Sequence, residues 1–297
     1  MNRRWFTTPL LAMAALLLSS QAGADLVNTW EPIDTTTRQA QPAEKVTPGQ
    51  SWRDPMSGMQ MVWVERGCYR MGSAPRIEGR GGDEGPVHDV CVSGYWIAQT
   101  EMTQGQWRQI MRNNPSKQRR GDDYPVEQVA WDDVEMFLSR INAFYKGRIA
   151  FRLPTEAEWE FACRNRGGRS QYAGGNNAAQ SGWLAANSGG FPRKVGERKP
   201  NRLGLLDMNG NVWEWTLDAY SASSYANSPR QDPMHENILP YRVIRGGGFA
   251  SNASQLRCSN RGFEHFTTQS PRIGLRLVAV VASKEEKRPM DLQDILF

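Results

Sequence analysis

Two early stretches, MVWVERGCYRMG (61–72) and VHDVCVSGYWIA (87–98), alternate apolar and polar residues with the two-residue period of half-buried strands. The first predicts a strand near Met61 to Glu65. A glycine-rich polar loop, 74–86, then leads into a second strand pair that ends through Trp96, as in a hairpin with a long tip. The pattern then changes period. Thr103 and Gln106 stand three apart, as in a capping box, ahead of Trp107, Ile110 and Met111, which predicts a short helix. Val134, Phe137, Leu138, Ile141 and Tyr145 trace one apolar face of a longer helix opened by Asp132 or Asp133. Thr155 and Glu158 repeat the capping spacing after Pro154 and predict a third helix from Glu156 to Arg164.

From 165 to 240 periodicity fades into turn formers (GGNN, NSGG, KPN, NG, NSPR). Trp183, Leu205, Trp213 and Trp215 in that stretch need burial, so an irregular but packed region is expected. Strands near Tyr241 to Arg245 and Ile273 to Val281 close the domain. No internal repeat or second domain is evident. The organisation expected is a signal peptide at 1–24, a Thr-, Pro- and Gln-rich linker at 25–50, one domain at 51–282, and a tail at 283–297 that turns from charged to apolar at its tip.

The leader reading rests on Arg3 and Arg4, an apolar core from Leu10 to Leu18, and Ala22 and Ala24 before a cut. The core is too short for a membrane span, and no cysteine follows it to take a lipid. Arg3, Arg4, Trp5 and Phe6 resemble part of a twin-arginine signal, although the Leu-rich core suits the general export route better. Cleavage near Ala24 lowers the formal charge from +5 to +3, leaving 34 basic against 31 acidic residues. That balance is too mild to argue for nucleic acid. Four cysteines in an exported chain read as two disulfides, with three possible pairings. Cys68 and Cys91 lie in the two alternating runs, so neighbouring strands can set them opposite each other.

Three stretches in order, RLPTEAEWEFA (152–162), GLLDMNGNVWEWT (204–216) and RGGGF (245–249) followed by RCSNR (257–261), resemble the formylglycine-generating enzymes, or sulfatase-modifying factors. The resemblance spans roughly residues 54 to 280. It implies an α+β fold of the C-type-lectin-like kind, low in regular secondary structure, and a disulfide between Cys163 and Cys258. In that family a pair of cysteines just after the RGG element binds copper and oxidises a cysteine of a client sulfatase. Here Ser251 stands at the first position and about Leu256 at the second. A hydroxyl without an adjacent base is neither the nucleophile nor the soft ligand that a thiolate is.

In the turn of LDMNGNVWEW, the carboxylates of Asp207 and Glu214 and the carbonyls of Gly210 and Val212 can converge as hard oxygen donors. The resemblance implies a structural calcium ion at these four residues; the plainer reading is a turn cap and an arginine pair. Asn187 and Ser188 match the start of a second family calcium site whose later acid is not evident. His88, His235 and His265 are scattered, with His265 nearest the RGG element. Arg152, Glu158 and Trp159 read as scaffold. Arg242, Arg245, Arg257, Arg261, Arg272 and Arg276 read first as ion pairs and second as a surface for an acidic partner.

The expectation is an exported periplasmic binding or regulatory protein, a pseudoenzyme with no catalytic residues. The resemblance extends to a family subgroup of exported regulators in the kinase-dependent control of type VI secretion. It implies a protein partner such as the ectodomain of a membrane Ser/Thr kinase. The alternative is a periplasmic oxidoreductase of siderophore (pyoverdine) maturation, which needs a redox centre that this sequence does not display.

Overall fold

The computed structural model describes residues 50–236 and 239–281. The expected signal peptide, all of the linker except Gln50, and the tail lie outside the described residues.

The first alternating run becomes β2 (Gln60–Val64), which pairs antiparallel with β1 (Ser51–Arg53) and with β5 (Tyr95–Ala98). β13 (Val278–Val281) and β6 (Ile149–Arg152) extend this sheet in the order β1-β2-β5-β13-β6. Between β2 and β5 the chain makes the predicted long-tipped hairpin, β3 (Gly67–Met71) against β4 (His88–Val92). Its register sets Cys68 opposite Cys91, and their sulfurs are bonded.

A second sheet has the order β11-β10-β9-β12, from β9 (Trp213–Ala219), β10 (Tyr241–Arg245), β11 (Gly262–His265) and β12 (Ile273–Leu275). The single strand expected over Ile273 to Val281 is in fact β12 and β13, in different sheets. The physical reason is Arg276, 0% exposed between them. Its guanidinium must reach Glu214 and the carbonyls of Ala98 and Leu206, so the chain cannot run straight through that point.

Both capping boxes form. Thr103 caps α1 (Gln104–Met111) and Thr155 caps α3 (Glu156–Cys163), each with the reciprocal bond from its third helical residue. α2 (Trp131–Tyr145) begins one residue earlier than expected. Ala130 holds the cap position because Asp133 folds back to accept its N–H at 2.9 Å. The α2 face of Val134, Phe137, Leu138, Ile141 and Tyr145 is buried, and Phe137 stacks on Trp107 of α1 at 5.2 Å. α3 is buried all round, including Glu156, Glu158 and Glu160.

The irregular middle is packed as expected. Trp215 is 0% exposed and Leu205 1% exposed, whereas Trp183 and Trp213 are only half-buried. Two short helices, α4 (Ala178–Ser181) and α5 (Ala185–Ser188), flank β7 (Gly182–Trp183), which pairs in parallel with β8 (Asn209–Gly210). This pairing brings the 207–216 turn against the loop that follows β10.

Candidate functional site

β10 delivers Arg245 into the core and hands the chain to Gly246 and Gly247, both at positive φ (97° and 74°). A Cβ on Gly247 would meet the Gln255 carbonyl oxygen at 2.9 Å as well as Leu256 Cδ1 at 2.8 Å, so with its positive φ the position requires glycine. Ser251 is 5% exposed, and its Oγ accepts the Gly248 N–H at 3.1 Å. Leu256 is 0% exposed in an apolar cluster with Tyr172, Ala178 and Leu184. The two positions that the resemblance assigns to thiols therefore hold a hydrogen-bonded hydroxyl and a packed aliphatic side chain. Neither supplies a thiolate. Cys163 and Cys258, both 0% exposed, are bonded to each other, and no cysteine is free.

The histidines sit on separate elements. His88 stacks on Tyr225 at 4.8 Å, and His265 Nδ1 lies 2.8 Å from Thr267 Oγ1. His235 donates its backbone N–H to Asp218. Among the described residues no group of three or more His, Cys, Asp or Glu is arranged to hold a metal ion.

The 207–211 turn is built from residues at positive φ: Asp207 (55°), Gly210 (85°) and Asn211 (59°). A Cβ on Gly210 would lie 2.0 Å from Trp183 O, so β7 and β8 approach only over glycine. Asp207 is 2% exposed. Its Oδ2 accepts the Gly196 N–H at 2.6 Å, and its Oδ1 has no partner among the described residues. A buried carboxylate oxygen left open in this way fits a hard cation. Glu214 is differently placed. Arg276 donates to it through Nε and Nη2 (2.8 Å to Oε1), and Trp159 Nε1 donates to Oε2 at 2.7 Å. Its charge is already matched by a buried guanidinium. Gly210 N bonds Gly246 O, and Val212 N bonds Glu101.

Glu101 is the residue that sequence reasoning missed. It is 0% exposed, accepts Val212 N at 2.9 Å and Asn211 Nδ2 at 2.6 Å, and so pins the turn from the loop between β5 and α1. Burial, then the charges of Asp207 and Glu214, push its carboxyl well above the usual range. Burial likewise pushes Asp207 up to about 6. At the suspected second calcium site an arginine stands in: Arg193 Nε donates to Ser188 O at 2.6 Å, while Asn187 Oδ1 caps Leu184 N at 2.9 Å.

The arginines settle the scaffold question. Arg261 takes both oxygens of Glu156, at 2.7 and 2.9 Å, and Arg257 takes both oxygens of Glu84 at 2.7 Å. Arg245 bonds Glu160 and lies 3.4 Å from Glu156. Arg152 chelates Glu158, closing the capping-box acid of α3 into an ion pair. Arg245, Arg257, Arg261 and Arg276 are thus internal ties and offer no surface to a partner.

One buried acid in this frame titrates near neutrality. Asp218 is pushed up to about 7 by burial and then by the Glu156 charge, against N–H bonds from Glu156 and His235. Its folded pKa lies above the unfolded value, so the stabilisation it gives is present at low pH and lost as pH rises through about 7. Stability read from thermal melts should therefore rise as pH falls from about 7 to 5, by up to about 1.4 kcal/mol per pH unit for one proton. A flat or falling profile over that window contradicts this assignment.

The sulfatase-modifying factor enzyme 1-like domain matches residues 47–281. Chaperone protein LppX of Paenibacillus barcinonensis is 30% identical, over 73% of this chain and 88% of its own. The formylglycine-generating enzyme of Streptomyces coelicolor is 33% identical, over 52% of each chain. The serine/threonine-protein kinase pkn1 of Chlamydia pneumoniae is 30% identical, over 68% of this chain and 35% of its own. The chain thus spans about half of that enzyme and about a third of that kinase. PvdO from Pseudomonas aeruginosa superposes with a TM-score of 0.70 at 24% identity, covering 79% of this chain and 99% of PvdO, a likeness of fold. The chain belongs to the sulfatase-modifying factor enzyme 1-like domain family, and it carries that family's C-type-lectin-like α+β fold.

Proposed function

We propose that this protein is an exported, periplasmic recognition and regulatory protein built on the formylglycine-generating scaffold, acting by binding another protein. The observation that carries the reading is the filled thiol site: Ser251 hydrogen-bonded to Gly248 and Leu256 packed against Tyr172, Ala178 and Leu184. Two disulfides and no free cysteine suit an oxidising compartment. Among the described residues no helix is long and apolar enough to cross a membrane. Relatives named as a chaperone and as a serine/threonine kinase support a protein partner. The partner we favour is the ectodomain of a membrane Ser/Thr kinase in the pathway that controls type VI secretion. Affinity capture from periplasmic and membrane fractions should enrich such an ectodomain or a secretion component. Enrichment of neither overturns the pathway.

The same reading includes a structural calcium ion at the 207–214 turn, held by Asp207 with the carbonyls of Gly210 and Val212 and with Glu214 beside them. Asp207 Oδ1 is the oxygen that supports it. An ion there would tie the turn to the sheets and perform no chemistry. Millimolar calcium should raise the melting temperature of EDTA-treated protein, and Asp207→Ala should abolish the response. An equal rise in the variant places the ion elsewhere.

A further inference from the structure

Beside the filled thiol site lies a basic, aromatic surface whose arginines the scaffold's ion pairs do not use, with Lys194 at its edge 3.8 Å from Asp123. α5 joins it to the site: Ala185 N bonds Ser251 O at 2.9 Å, and Ser188 Oγ bonds Phe249 O at 2.8 Å. Arg193 and Arg198, from the loop after α5, both lie over the ring of Trp183, with guanidinium carbons 5.4 and 3.4 Å from its centroid. In the same loop Phe191 is 41% exposed and carries Arg120 on its face at 4.0 Å. The two loops are stitched together by Val195 N to Asp123 O at 2.9 Å.

These arginines differ from the buried ones. Arg245, Arg257, Arg261 and Arg276 each meet a glutamate. Arg120, Arg193 and Arg198 make no ion pair among the described residues; Arg120 is exposed and Arg193 and Arg198 are half-buried, and the buried Arg198 Nε and Trp183 Nε1 have no hydrogen-bond partner there. Burial lowers the pKa of Arg198, against the opposing charges of Asp207 and Glu197. The loop 189–202 also carries Lys194, Lys199 and Arg202, against the single acid Glu197. Stacking on Trp183 and Phe191 holds the guanidiniums in place, so little side-chain entropy remains to be lost when a carboxylate docks in a bidentate fork. Rigid aromatic and arginine side chains at one place are also the composition of binding hot spots.

We infer that the Trp183, Phe191, Arg120, Arg193 and Arg198 surface is the docking site for an extended acidic segment of the partner protein, rich in Asp or Glu. The inference rests on the recognition role proposed above and gives that role a face and a chemistry. Aromatic or aliphatic residues among the partner's acids would lie against Phe191, and its carboxylates against the two arginines flanking Trp183.

The test uses the full chain and a fluorescein-labelled ten-residue polyglutamate, read by fluorescence anisotropy at low and physiological salt. Arg193→Gln/Arg198→Gln should weaken binding about tenfold or more, and Lys146→Gln, remote in sequence from this surface, should leave it within about twofold. Arg198→Gln alone, which gives up no side-chain hydrogen bond shown here, should weaken binding by several-fold with an unchanged melting temperature. It keeps the test decisive if loss of the Arg193–Ser188 bond loosens the loop. Equal affinity for wild type and both variants overturns the inference. So does a ten-nucleotide single-stranded DNA that binds as tightly as polyglutamate through the same arginines, because the surface would then be reading charge alone. Copper and free-thiol content measured on the same samples report on the recognition role separately. A copper-free, thiol-free protein that ignores polyglutamate overturns only this surface.

Discussion

Arg245→Met is expected to lower stability by about 3–5 kcal/mol, because it leaves two buried carboxylates facing an apolar side chain. Arg245 is 0% exposed, bonds Glu160 and the carbonyl of Asn260, and lies 3.4 Å from Glu156. Glu156 keeps Arg261. Glu160 keeps only Arg164 at 3.1 Å and the Gly72 N–H at 2.9 Å, so its charge is the one stranded. Burial pushes the Glu156 carboxyl up, but Arg261 and Arg245 together hold it below the usual carboxylate range, so losing either guanidinium undoes part of that balance. Urea denaturation should show the full loss in the single variant and a partial recovery when Glu160→Gln is added. A loss below about 1 kcal/mol, or no recovery in the double variant, contradicts a network held together by these ion pairs.

The two disulfides should separate under mild reduction. Cys68 is exposed at the surface of the β3–β4 hairpin, whereas Cys163 and Cys258 are 0% exposed behind Asn209 and α3. Dithiothreitol should open Cys68–Cys91 in the folded protein and reach Cys163–Cys258 only on unfolding. Thiol–disulfide exchange requires the attacking thiolate to reach a sulfur. Cys163→Ser/Cys258→Ser should then cost about 4–5 kcal/mol, since that bond closes a separation of 95 residues, against about 3 kcal/mol for the 23-residue hairpin. Alkylation followed by peptide mapping reads the order of opening, and simultaneous opening of both bonds in native buffer would contradict the burial argument.

Much of the frame was legible in the residues because its partners are near in sequence. The alternating runs of β2–β5, the capping boxes at Thr103 and Thr155, and the apolar face of α2 are each a pattern within about fifteen positions, although the paired strands themselves lie further apart. The family itself was legible from three ordered stretches. What could not be read depends on distant partners. β9 was hidden because Glu214 and Asp218 interrupt any apolar alternation, and each is buried on partners far away: Arg276, 62 positions on, and Glu156, 62 positions back. Glu101 looked like an ordinary polar residue before a helix, yet it serves a turn 110 positions later. At Glu214 the oxygens expected to meet a cation meet Arg276, a residue that sequence placed only in a general arginine cluster. The stack of Arg193 and Arg198 on Trp183 left no local signal, since cation–π geometry has no fixed spacing.

The central claim is that the scaffold persists without the chemistry of a thiol pair. It is tested most directly by counting thiols in denatured, unreduced protein while titrating Cu(I) into the folded chain in competition with a chromogenic chelator. Zero thiols per chain and no copper retained against the chelator are expected. Two thiols per chain, or one tightly held copper ion, would contradict the claim and return an oxidase reading to first place.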